Sequence, residues 1–284
     1  MRANGLSFVV FCLIVLLCMS GCMGLSSRSV LEPIGIMGAL DSELELIRDG
    51  MKLRSAKIIS GRVYYEGQIE GHRVVVVKAG VGKVNAAMTA QVMIDRFGVG
   101  SVIFTGIAGG INPGLHIGDL VISSKLIQHD YGLISGDVLR PWKIAIGDSS
   151  GRDKPVSHFE PDSHLVALAR RAAGRVDFPE PDTAISIHVV GPVKVYEGCI
   201  VTGDQFIASE KKRVWLQETF DACAVEMEGG AVAQVCATNG LPFVIIRTLS
   251  DLANEDARID VEKFLSYAAH NSAALVLEML KLLG

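Results

Sequence analysis

The chain has 284 residues, 49% of them hydrophobic and 20% charged, with a formal net charge of −4. That length can bury one large core. The acidic balance and 6% aromatic content leave neither the basic face nor the stacking platform that nucleic-acid binding requires.

The first residues stand apart. Arg2 supplies a positive start, Phe8 to Met19 form an apolar run, and 19-MSGC-22 closes it with small residues. The run is too short to span a membrane and reads as a secretory signal over residues 1–21. Its end resembles a bacterial lipobox with Cys22 as the lipidated residue. The expectation is an exported lipoprotein held on a membrane surface by its lipid, with an uncleaved N-terminal anchor as the other reading. Residues 22–32 form a Ser-rich linker, and the domain spans 33–284.

The domain opens with an apolar strand, 34-IGIMGAL-40, after which Asp41 or Ser42 suits the cap of a helix carrying Glu43. A hairpin follows over 62–69 and 73–80 with Glu70-Gly71 in its turn. Gly80-Val81-Gly82 then opens a helix over 83–97. Strands are predicted at 101–110 and 118–130. Residues 131–160, polar and carrying Pro141 and Pro155, form the longest irregular stretch, with Trp142 as a lid aromatic. A helix over 161–175 leads to an apolar segment at 185–204. A helix at 209–219, a strand at 222–225, a helix at 229–239, a strand at 242–251 and a closing helix at 260–282 complete the chain. Alternating strands and helices, several strands being continuous apolar runs, predict one α/β domain around a buried parallel or mixed sheet.

In such sheets ligands bind at the carboxyl ends of the strands. Glu43, Thr105, Asp204, Glu228 and Asp251 all follow apolar strands and outline a pocket there. The run 222-ACAVEMEGG-230 places Glu226 and Glu228 where a strand enters the core. A buried unpaired carboxylate costs several kcal/mol, so these acids are either a surface turn or a pocket floor. Asp251 fits a turn cap or a general acid with a raised pKa. Glu43 fits a helix N-terminus or a carboxylate that activates water. The glycines of 80-GVG-82 and 106-GIAGG-110 allow close backbone approach to a ligand. The seven His show no metal-ligand spacing, and no cofactor motif is present. Cys199, Cys223 and Cys236 are too scattered for a disulfide framework and read as structural thiols.

Taken in order, 35-GIMGALDSELELI-47, 103-IFTGIAGG-110, 203-GDQFI-207, 225-VEMEGGAVAQVC-236 and 247-RTLSD-251 resemble the purine nucleoside phosphorylase/nucleosidase superfamily. Within it the likeness is strongest to the 5′-methylthioadenosine/S-adenosylhomocysteine nucleosidases, over about residues 34–283. The resemblance implies a three-layer α/β/α sandwich around a mixed, barrel-like sheet, a homodimer, and hydrolysis of the ribosyl–purine bond. It implies that Asp251 protonates the purine, that Glu43 activates the attacking water, and that Arg247 orients both water and Glu43. It also places Glu228 on the ribose hydroxyls, Met227 against the sugar, Phe206 on the purine face and the Ile207 backbone on the purine edge. Ser250 and Ile107 would line the same site, with Glu226 behind them. Phosphorolytic members place Arg and Ser where Phe104 and Ile107 stand, and an apolar pair there favours water as nucleophile. A phosphorylase, or an inactive nucleoside-binding lipoprotein, are the alternatives.

Overall fold

The structure is a computed structural model and describes residues 32–136, 138–147, 150–181, 189 and 191–283. The expected signal peptide, Cys22 and all but the last residue of the linker lie outside the described residues, as do most of residues 182–190. In chain order the first elements are β1 (Ile34–Gly38), α1 (Glu45–Asp49), β2 (Lys52–Ile59), β3 (Arg62–Ile69), β4 (His72–Lys78) and α2 (Lys83–Phe97). Then come β5 (Ser101–Gly110), β6 (Leu120–Gln128) and four short strands, β7 (Gly132–Ser135), β8 (Val138–Pro141), β9 (Ile144–Gly147) and β10 (Asp153–Val156). The rest are α3 (Ser163–Ala173), β11 (Val195–Thr202), α4 (Glu210–Phe220), β12 (Ala222–Glu226), α5 (Gly229–Thr238), β13 (Phe243–Asp251) and α6 (Ala257–Lys281).

The central strands read as unbroken apolar runs because both of their faces are covered. In β4, Val75 and Val77 join one apolar cluster while Val74 and Val76 join the other. Met37 and Ile36 divide in the same way in β1, as do Phe104 and Ile103 in β5 and Ile245 and Ile246 in β13. This is the two-residue period of a strand. The first face is covered by α2 through Ala86, Ala90 and Met93 and by α5 through Val232, Ala233 and Cys236. The second is covered by α3 through Leu165, Leu168 and Ala172 and by α6 through Val276, Met279 and Leu280. Helix, sheet and helix form the predicted three layers.

The large sheet runs β12-β11-β6-β13-β5-β1-β4-β3-β2, and β12 also pairs with β5. The strands β5, β13, β6, β11 and β12 therefore close into a barrel, and β1, β4, β3 and β2 extend from it. Pairing is mixed: β13 is parallel to β5 but antiparallel to β6, and β12 is antiparallel to β5. The edge of β5 that faces away from β13 changes neighbour along its length. It pairs with β1 over Ser101–Phe104 and with β12 only at Gly109 and Gly110. Between these two pairings the sheet opens, as at the switch points where α/β folds bind ligands.

Three sequence expectations change. Glu43 precedes the first helix rather than lying inside it, and neither Asp41 nor Ser42 caps it; the N-cap position is Leu44 without a side-chain bond. The Asp41 carboxylate instead accepts a hydrogen bond from Lys78 at 2.5 Å. Strand β2 was not expected; it is an edge strand, mostly exposed, so it lacks the buried alternation that marks a strand. It joins β3 through Ser60 and Gly61, both at positive φ. The stretch 131–160 is not irregular but carries two small antiparallel pairs, β7–β8 and β9–β10. Two-stranded ribbons bury little, which is why their composition is polar. Trp142 follows β8, half-exposed, and packs edge-on against Tyr131 with ring centroids 6.1 Å apart. Cys199 and Cys236 are buried and Cys223 half-buried, all three as free thiols.

Candidate active site

A cavity of about 200 Å³ lies at the opening beside β5. Leu40, Glu43, Ile107 and Phe206 line it, with Met227, Glu228, Ser250 and Asp251, and Val81, Glu226 and Val261 complete its wall. Most of the residues singled out from the sequence thus meet in one chamber. Arg247 and Ile207 are not in the lining. Arg247 lies fully buried behind it, and Ile207 packs in the small apolar cluster beside α4 and β11. Two of the five outlining residues belong elsewhere. Thr105 turns toward α6, its hydroxyl 2.8 Å from that of Ser272. Asp204 caps α2 by accepting the Lys83 N–H at 2.8 Å.

Glu43 owes its place to backbone amides. Its Oε2 accepts the N–H groups of Ala39 at 2.6 Å and Leu40 at 2.8 Å, and its Oε1 that of Ile107 at 3.0 Å. The first two are free because β1 has just ended, and the third faces the gap where β5 has no strand partner. Gly106 makes the approach possible, since a Cβ there would overlap both the Glu43 carboxylate and the Arg247 guanidinium. Burial raises the Glu43 pKa, opposed by the Arg247 charge and these three amides.

The VEMEGG turn resolves into two different jobs. Glu226 Oε2 accepts the N–H of Glu228 at 3.0 Å and of Gly229 at 2.6 Å, so it satisfies orphan amides at the start of α5. Its other oxygen accepts the Thr202 hydroxyl, and Arg247 Nη2 donates to Oε2. Glu228 instead faces the cavity. Its Oε1 accepts the Gly82 N–H at 2.8 Å, at the N-terminus of α2, and its Oε2 lies 3.4 Å from Arg247 Nη2. Burial and the neighbouring Glu226 charge push the Glu228 pKa up to about 8, against the pull of Arg247.

Arg247 holds this group of acids together. Beyond Glu226 and Glu228, its Nη1 lies 3.4 Å from the Thr105 carbonyl, and its guanidinium sits 4.4 Å from the Phe104 ring centroid. Phe104 is thus a cation–π platform. Among the described residues its hydrogen bonds run to Glu226, Glu228 and Thr105, while Glu43 feels its charge through space. Arg247 thus acts on Glu43 through its field and not through a hydrogen bond. One guanidinium faces three buried carboxyl groups, and Glu226 and Glu43 each oppose the ionisation of Glu228.

Asp251 stands at the end of β13. Its Oδ1 accepts the Ala253 N–H at 2.8 Å and its Oδ2 lies 2.9 Å from the Ser250 hydroxyl. It therefore caps the following turn and faces the cavity at once. Burial pushes its pKa up to about 6, opposed by those two donors. A carboxyl poised there donates a proton near neutrality. Glu43, held by three amides, and Asp251, held by one amide and one hydroxyl, are carboxyl groups in separate environments, the arrangement from which an acid and a base can be made.

Sequence reasoning stopped one residue short at 203-GDQFI-207. Thr202, fully buried, bridges β11 to Glu226 and to the Gly230 N–H at 2.7 Å. The signal was a polar residue closing an apolar strand just before a glycine. Val261 was also missed, because it comes from α6 on the far side of the chain.

Comparison with known proteins adds a second line. A family model described as the phosphorylase superfamily matches residues 33–281. A 5′-methylthioadenosine/S-adenosylhomocysteine nucleosidase of Mycobacterium bovis is 36% identical over 258 residues, covering 88% of this chain and 97% of that protein. The crystal structure of the nucleosidase of that name from Neisseria meningitidis, in complex with methylthio-immucillin-A, is 35% identical with a TM-score of 0.75. It covers 88% of this chain and 99% of its own. The native structure of futalosine hydrolase of Helicobacter pylori is 32% identical with a TM-score of 0.73, covering 88% of this chain and 97% of its own.

Proposed function

The chain belongs to the phosphorylase superfamily, and we propose that it hydrolyses the N-glycosidic bond of 5′-methylthioadenosine, S-adenosylhomocysteine or a related purine nucleoside. The products are adenine, or the corresponding purine, and the ribose moiety. The observation that carries hydrolysis is the seat of Glu43. Its carboxylate occupies the three backbone amides of Ala39, Leu40 and Ile107, the kind of N–H concavity that binds anions. A phosphate entering there would meet a fixed negative charge and an apolar Ile107, whereas a water would meet a base.

The mechanism follows from the placement of charge. Phe206, half-exposed at the mouth, stacks on the purine, and the Ile207 backbone reads its edge. Asp251 protonates the base as the glycosidic bond stretches, and Ser250 steadies that carboxyl in either state. Glu228 accepts hydrogen bonds from the ribose hydroxyls and Met227 packs on the sugar. Positive charge growing on the ribosyl ring favours the ionised form of the Glu228 carboxyl group beside it, so the two stabilise one another as the bond breaks. Glu43 removes a proton from the water that completes the reaction.

Two further features belong to this reading. Val81 and Phe206 at the mouth, and Val84 and Met88 along α2, are exposed apolar side chains, which supports a homodimer that covers the pocket entrance. The 19-MSGC-22 end of the leader supports export and lipid attachment at Cys22, and so a membrane-held enzyme acting on nucleosides outside the cytoplasm.

The test is purine release by the purified protein from methylthioadenosine, S-adenosylhomocysteine, adenosine and inosine, with and without inorganic phosphate. Release that is independent of phosphate supports the proposal. Release that requires phosphate, or none from any purine nucleoside, sinks it.

A further inference from the structure

Thr202 closes β11 at the back of the chamber, out of reach of any ligand in the cavity, and fully buried. Its hydroxyl makes two bonds at once. It donates to Glu226 Oε1 and accepts the Gly230 N–H at 2.7 Å. A hydroxyl has one proton, so the amide fixes the direction in which that proton points: the Gly230 N–H fills an acceptor site and the O–H is left for the carboxylate. The small α5 residue Gly230 allows this, since a Cβ there would come within 2.8 Å of Thr202 Oγ1.

Glu226 Oε2 is already shared among Arg247 Nη2 and the amides of Glu228 and Gly229. Among the described residues, Thr202 is the donor hydrogen-bonded to Oε1. A carboxyl group taken out of water needs such donors to satisfy both oxygens and to stay in one orientation. The charge on Glu226 in turn holds the guanidinium of Arg247, whose other carboxylate contact is Glu228 at 3.4 Å.

Resting on the hydrolase reading above, we propose that Thr202 is a positioning residue that holds the Glu226 carboxyl group in place against Arg247. Glu228 is thereby left free to meet the ribose. Without the hydroxyl, Glu226 Oε1 loses its donor, the carboxyl group turns from its seat, and Arg247 shifts toward Glu228. The groups that face this pair from the surrounding elements are Glu43 from the turn after β1, Glu228 at the start of α5 and His129 after β6, the last held neutral by burial with a pKa of about 4. The guanidinium, drawn onto Glu228, then opposes a cationic sugar, while the purine end at Asp251 and Phe206 is untouched.

The experiment compares the wild type with Thr202→Val and Thr202→Ser. Two probes are used, adenine and a nucleoside mimic whose ring nitrogen carries a positive charge in place of the anomeric centre. Thr202→Val is expected to bind the cationic mimic about tenfold or more weakly, the range for losing a hydrogen bond to a charged group. Its kcat should fall with it, while adenine affinity stays unchanged. Thr202→Ser, which keeps the hydroxyl, should recover both mimic binding and kcat. The proposal is overturned if Thr202→Val binds the mimic like wild type, or if adenine and mimic affinity fall together, which marks a loss of structure. It is also overturned if Thr202→Ser behaves like Thr202→Val, which makes the methyl group the important part. A wild-type protein that releases no purine and binds neither probe refutes the underlying hydrolase reading instead.

Discussion

Glu43 and Ile107 are 64 residues apart in sequence, yet the Ile107 N–H donates to the Glu43 carboxylate at 3.0 Å across the opening beside β5. The bond exists because β5 has left β1 and has not yet met β12, so its amide has no strand to pair with. An open sheet edge has become the seat of a base.

Replacing Glu43 by Gln keeps the shape and removes the charge. We expect kcat to fall by roughly 10²–10⁴, the range for a general base, with adenine affinity near that of wild type. Steady-state kinetics and a binding titration on the same preparation decide it; wild-type turnover in this variant would remove Glu43 from the mechanism.

Asp251 must be protonated to act as the acid, and burial places its pKa at about 6 in the free protein. The value of kcat/KM should therefore decline as pH rises through that region. Asp251→Asn should retain nucleoside binding and lose turnover at every pH. A pH profile with no alkaline decline near this value would show that another group supplies the proton.

Glu228 gives a stability prediction whose sign can be worked out. The unfolded side chain loses its proton near 4.5, whereas the folded one keeps it to about 8. Between those values the folded state binds more protons, so this group's contribution to stability is complete below the lower pH and is lost as pH rises toward the higher one. Glu228→Gln cannot ionise. Its melting temperature relative to wild type should rise between about pH 5 and about pH 8, and a constant difference would contradict the assignment.

Arg247 is the counter-charge for buried acids, so removing it should be severe. Arg247→Met is expected to cost about 3–5 kcal/mol, as for other buried pairs broken on one side. Adding Glu226→Gln should restore part of the loss, because the two residues are directly coupled. Denaturant unfolding of the single and double variants measures this, and simple additivity would argue against the coupling.

Gly106 tests the close approach. A Cβ at this position overlaps both the Glu43 carboxylate and the Arg247 guanidinium. Gly106→Ala should push the base off its amides and cut kcat, with adenine still binding at the Asp251 end. An alanine variant of full activity would show that the carboxylate does not need that seat.

Much of this was legible in the residues. The period-two burial of β4 and β13 showed as apolar runs, and the helix expected over 161–175 is α3, which Asp162 caps by accepting the Leu165 N–H at 2.9 Å. Glu228 and Asp251 were recognisable because a carboxylate at the end of a buried strand must be met by donors, a counter-charge or a ligand. Strand β2 was not legible, since an exposed edge carries no burial pattern. The small ribbons at 131–160 escaped for the same reason.

By itself the sequence determined the layered α/β class, the ordered motifs of the family and the set of acids that meet in one chamber. The α/β class follows from apolar periodicity and the pocket from the cost of burying charge, while the layers and motifs came from the resemblance to the family. Only the tertiary structure decided what each acid does. Glu226 and Glu228 are two residues apart on one turn, but one faces Thr202 and Arg247 while the other faces the cavity. Thr105, inside β5, and Asp204, just after β11, were grouped with Glu43, yet they bond to α6 and α2. The difference lies in which amide or guanidinium the closing barrel brings within hydrogen-bond distance, and that is settled by strand pairing between distant segments.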